Sequence, residues 1–99
     1  MRARENRRAP RVKRNTVLEL FDGQGRQVEA VVRLVDYSVA GLRFATAAHL
    51  APGDRVRACL SLMREGLLYV EGRVVWKRAK GSTTLYGVEF SEPPRQLAP

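Results

Sequence analysis

Hydrophobic positions along this chain recur at every second residue over short stretches, which is the period of a half-buried β-strand and not of a helix. The clearest case is Val56, Ala58, Leu60 and Leu62, which alternate with Arg55, Arg57, Cys59 and Ser61. From Gln27 to Asp36 the same period puts Val28, Ala30, Val32 and Leu34 on one face and Glu29, Val31, Arg33 and Val35 on the other. Thr16 to Phe21, Leu42 to Ala45, Leu67 to Lys77 and Thr83 to Phe90 are further runs rich in strand-forming residues. Turn chemistry separates them. Asp22-Gly23-Gln24-Gly25 suits a hairpin, and Asp36-Tyr37-Ser38-Val39-Ala40-Gly41 suits a turn in which Asp and Ser bond their own backbone. Ala47 to Leu50 could make one helical turn before Pro52 and Gly53 stop it. Gly72, in the middle of the longest run, suggests a bulge or a barrel corner. The expected fold is all-β: a six-stranded antiparallel β-barrel, whose closure removes exposed strand edges.

Composition narrows the picture without changing it. With 99 residues and 44% hydrophobic content, the chain holds one domain and one modest core. No apolar run approaches the ~20 residues of a spanning helix, and no apolar stretch follows the charged N-terminus. Neither a membrane span nor a signal peptide is therefore expected, and the cytoplasm is the expected location. Cys59 is the sole cysteine, which rules out an internal disulfide and suits a buried structural thiol. His49 is the sole histidine, in a loop-like stretch with no second ligand nearby, so no metal site is expected. No phosphate-cradling loop or nucleophile-elbow motif occurs, and no catalytic residue is assigned: the chain reads as a non-enzyme.

Charge changes the picture more. Residues 1–14 hold seven basic residues against Glu5 alone, which is net +6 of the chain's +8. The expected layout is a flexible basic arm over residues 1–14, a barrel over 15–92 and a loose tail over 93–99. Such an arm calls for an anionic partner: nucleic acid, an anionic lipid surface or a phosphorylated small molecule.

Two short strings decide among these when taken together. Asn6-Arg7-Arg8-Ala9-Pro10-Arg11 contains Arg-x-x-x-Arg at Arg7 and Arg11, and Asp36 to Gly41 is Asp-x-Ser-x-x-Gly. Their order, with two strands between them and four after, resembles the PilZ domain family. Val74-Val75-Trp76 and Tyr86-Gly87-Val88-Glu89-Phe90 resemble it too, so the likeness runs over roughly residues 6–90. The resemblance implies a bacterial receptor for the second messenger cyclic di-GMP, with an arm that folds over the barrel when ligand arrives. It implies ligand contacts from Arg7, Arg8, Arg11, Asp36, Ser38 and Gly41, with Arg4 and Asn6 as additional candidates.

The chemistry agrees with that ligand. An arginine fork matches guanine O6 and N7 or a phosphate, whereas lysine is only a point charge. An ionised Asp36 suits guanine's N1 and N2 donors, the Ser38 hydroxyl can bond base or phosphate, and Gly41 permits a tight turn and close approach. Trp76 and Tyr86 read as packing residues. Arg4 and Arg8 incline the expectation toward a stacked pair of ligands, and a downstream protein or fused effector domain would carry the signal. The alternatives are a PilZ domain that serves protein interaction without ligand and, with less support, a nucleic-acid-binding barrel. Seven aromatics, several at core positions, leave little for base stacking, and no nucleic-acid partner is expected.

Overall fold

The computed structural model describes residues 12–28, 31–62 and 66–98. Eight strands run through them: β1 (Val12–Val17), β2 (Glu19–Asp22), β3 (Val32–Tyr37), β4 (Gly41–Thr46), β5 (Arg55–Leu62), β6 (Gly66–Lys80), β7 (Thr83–Phe90) and β8 (Arg95–Ala98). Among the described residues there is no helix. The strands pair in the order β1-β3-β4-β7-β6-β5-β2, every neighbour antiparallel.

β1 and β2 stand at opposite ends of that order, yet Leu18 alone separates them in sequence. One bent strand thus pairs with β3 along its first half and with β5 along its second, and the sheet closes on itself. Counted by path, six strands make the barrel. The joint is tied down twice: Leu18 donates its N–H to the Val32 carbonyl at 3.0 Å, and its side chain is buried. The expected Thr16–Phe21 strand is therefore two strands, because a straight one could not serve both edges.

The core fills the barrel from every strand with a described inner face. Leu20, Val32, Leu34, Leu42, Phe44, Val56, Ala58, Leu60, Val70, Val74, Tyr86 and Val88 are buried, so the period-two pattern of the sequence is the inside-outside alternation of the barrel wall. Phe44 and Tyr86 stack at 5.3 Å between centroids. Tyr86 also explains why Ala47 to Leu50 make no helical turn. Its phenol accepts the Leu50 N–H at 3.0 Å and donates to the Ala48 carbonyl at 2.9 Å, fixing the loop across the barrel mouth.

Both ends of the barrel differ from expectation. Residues 12–14, assigned to the arm, belong to β1, where Lys13 pairs with Asp36. In the tail, Pro93 and Pro94 end β7, but Arg95–Ala98 then forms β8 against Leu67, Leu68 and Tyr69 of β6. β7 leaves that edge of β6 at Gly72, so β8 pairs backbone groups that would otherwise stay open. The Arg95 guanidinium lies 5.0 Å over the Tyr69 ring and fastens the strand. The irregularity expected at Gly72 falls three residues later, at Val75.

Candidate ligand-binding site

The chemistry gathers on the outer wall, in one row that crosses four strands. Asp36 of β3 pairs with Arg43 of β4, Arg43 with Gly87 of β7, and Gly87 with Trp76 of β6. Simple alternation would not put Asp36 or Trp76 there. Asp36 lies two residues beyond buried Leu34, and Trp76 two beyond buried Val74, so both should point inward. A bulge reverses each. Leu34 pairs with Phe44 and Asp36 with Arg43, leaving Val35 as an extra residue. Val74 pairs with Val88 and Trp76 with Gly87, leaving Val75 as an extra residue. Two inserted valines on the flanking strands thus aim an acid and an indole at the same outer row.

Asp36 is only 1% exposed although it faces outward. Arg43 donates from Nε to both carboxylate oxygens, at 3.0 and 3.1 Å, and from Nη2 to Oδ2. The Asp36 carboxylate raises the pKa of the Arg43 guanidinium, against a smaller opposing effect of burial. A buried carboxylate needs such a partner, since an uncompensated charge out of water is costly. The expectation that Asp36 offers its oxygens to guanine donors must therefore accommodate an arginine already on both of them. Sequence reading missed Arg43. The signal was available, because a hairpin closed around residues 38–41 sets position 36 opposite 43.

Ser38 is buried and shapes the turn. Its Oγ accepts the Ala40 N–H at 3.1 Å, and its own N–H donates to the Gly41 carbonyl at 2.8 Å. The hydroxyl keeps its proton to donate. Gly41 is needed for packing against the neighbouring strand: a Cβ there would sit 2.1 Å from the Val88 carbonyl oxygen. Gly87 has a similar reason, because a Cβ would lie 2.2 Å from Trp76 Nε1. Trp76 does pack, as expected, but against this glycine from outside, half-buried. Tyr86 packs in the core. Between Ala40, Arg43, Trp76 and Glu89 lies a solvent-open groove of about 390 Å³.

Arg4, Asn6, Arg7, Arg8 and Arg11 lie outside the described residues. The described chain begins beside the groove, since Val12 pairs with Tyr37 and Lys13 with Asp36. His49 is exposed, and burial, then Glu19, raises the pKa of half-buried Cys59. Among the described residues, no three potential metal ligands cluster, and no helix is long and apolar enough to cross a membrane.

Two solved structures share the fold. The PilZ domain of YcgR from Escherichia coli, solved with c-di-GMP, superposes with a TM-score of 0.63 at 15% identity, over 88% of this chain and 79% of that one. MotI/DgrA, an inhibitor of motility from Bacillus subtilis, gives a TM-score of 0.74 at 16% identity, over 94% of this chain and 49% of that one. No curated protein sequence matches the chain. The family described as PilZ domain matches residues 5–98, nearly the whole length. This chain, with its closed barrel and its Asp-x-Ser-x-x-Gly turn beside the start of β1, belongs to the PilZ domain family.

Proposed function

We propose that the protein is a cytoplasmic receptor for cyclic di-GMP, which it binds between Arg7, Arg8 and Arg11 of the N-terminal segment and the outer-wall row that contains Asp36. The observation that carries this reading is the pairing of Val12 with Tyr37. It brings the segment into the fold at the end of β3, one residue from Asp36 and Ser38. Arg7 is five residues before Val12, a reach of at most about 17 Å, so both arginines of Arg-x-x-x-Arg can meet a ligand lying in the groove. The arginines supply planar forks for guanine edges and phosphates. The row supplies a rigid floor in which the Arg43–Asp36 pair fixes both charges and the Ser38 hydroxyl holds a spare proton. Ordering of the arm over the groove would be the signal passed to a downstream protein or domain.

Titration calorimetry with cyclic di-GMP tests the proposal. Micromolar or tighter binding is expected, with two ligands per chain if they bind as the stacked pair and one if singly. Arg7→Ala, Arg11→Ala and Asp36→Asn should each abolish it. No heat at ligand concentrations near 100 µM, about 5.5 kcal/mol of affinity, would leave a PilZ domain that works without the nucleotide.

A further inference from the structure

β6 outruns its neighbour. β5 accompanies it from Leu62↔Gly66 to Arg55↔Arg73, and the loop before β5 adds the last contacts, Gly53 N–H to the Val74 carbonyl and Val74 N–H to the Asp54 carbonyl. From Val75 to Lys80 no described strand pairs with that side of β6. The backbone groups that face outward there can be assigned. Val74 spends both of its groups on the loop side, and Phe90 donates to Ala40, away from β6. Counting the antiparallel alternation from either point, Trp76, Arg78 and Lys80 bond to β7, and Lys77 and Ala79 turn N–H and C=O to the open edge.

This edge is also strongly positive. Between Glu71 and Glu89 there is no acidic residue, and Arg73, Lys77, Arg78 and Lys80 are all exposed. Lysines along an edge strand keep identical edges from pairing with one another, because two copies would oppose like charges. The same lysines favour a strand of opposite charge. Alternating donors and acceptors at Lys77 and Ala79 match a polypeptide, whereas phosphates offer acceptors only and would face the two carbonyls.

We propose that the open edge of β6, Val75 to Lys80, is a docking site for an extended acidic peptide segment of a partner protein, which adds to the barrel as a strand. Backbone bonds from Lys77 and Ala79 fix its register, and Lys77, Arg78 and Lys80 select its charge. The site lies along the β6 edge beside Trp76, and it does not depend on the nucleotide reading.

The test uses the full chain and a short synthetic peptide that alternates glutamate and threonine. Trp76, the single tryptophan, reports binding by fluorescence, and amide exchange reads the edge residue by residue. Saturable binding is expected, with exchange slowed at Lys77 and Ala79. Lys77→Glu with Lys80→Glu should weaken it at least about tenfold. Ala79→Pro should abolish it while keeping all charges, because the N–H it removes faces outward and the β6–β7 ladder is untouched. Should that variant fail to fold by circular dichroism, the peptide N-methylated at alternate residues replaces it, and loss of binding is again expected. Binding that survives both proline and N-methylation would be charge attraction alone and would overturn the proposal. So would absence of saturable binding, protection of the same amides by self-association, or equal protection by a single-stranded DNA oligonucleotide.

Discussion

Asp36 and Arg43 form the pair on which the outer row depends, and their energetics are asymmetric. Arg43→Ala leaves a carboxylate at 1% exposure without this partner, whereas its own side chain is about one-third exposed. That exposure tempers the loss, and about 2–3 kcal/mol is expected from the urea midpoint, in part recovered by adding Asp36→Asn. Gly87→Ala should cost about 1–3 kcal/mol by pushing the indole off its seat, with Trp76 emission shifting to the red as the ring meets water. Sequence reading found Asp36, Ser38 and Gly41 as ligand contacts and as a turn in which Asp and Ser bond their own backbone. What it could not see is the cross-strand part of these roles. Ser38 caps Ala40 within the turn, but Asp36 holds Arg43 and Gly41 lets β4 approach Val88. Such roles depend on cross-strand neighbours, which a linear string does not name.

At the scale of elements, the strands were legible wherever one face is buried, because burial imposes the period of two. Val56, Ala58 and Leu60 illustrate it. The bulges were not legible. Val35 and Val75 are ordinary strand residues, and neither carries a local mark of being the extra one. Gly72 carries no bulge, and the reason for its glycine is close approach: a Cβ there would sit 2.4 Å from the Glu89 carbonyl oxygen. β8 was hidden for a different reason: the two prolines before it end β7 rather than the sheet. Deleting Val35 tests the role assigned to its bulge. Without it, plain alternation still sets Asp36 directly after Leu34 and opposite Arg43, so the outer row is kept, and the expected cost is that of the lost valine and a retwisted β3, about 1–3 kcal/mol from the thermal midpoint. An unchanged melting curve would show that the bulge is dispensable.

For the molecule as a whole, closure through Leu18 makes the barrel a single cooperative unit. Leu18→Ala should therefore lower global stability by about 2–4 kcal/mol, with chemical denaturation remaining one transition, rather than fray one edge. If cyclic di-GMP binds only the folded chain, ligand at a hundredfold excess over its dissociation constant adds about 2.7 kcal/mol. In a domain of this length that raises the melting temperature by about 10–20 °C, measurable by differential scanning calorimetry. A basic N-terminal segment adjoining a nearly neutral barrel was legible from charge alone.

The bent strand β1–β2 also has a consequence for synthesis. It is the first part of the barrel to leave the ribosome, yet Glu19 meets Cys59 about forty residues later, and translation of that interval takes roughly 2–8 s. Through that time β2 has only its short turn contacts to Arg26, Gln27 and Val28, and the ring cannot close from its own beginning. Nascent chains arrested before β5 emerges should be cut readily by protease at β2, and those released after β8 should resist. The strand made first must wait for a much later one before the ring can close.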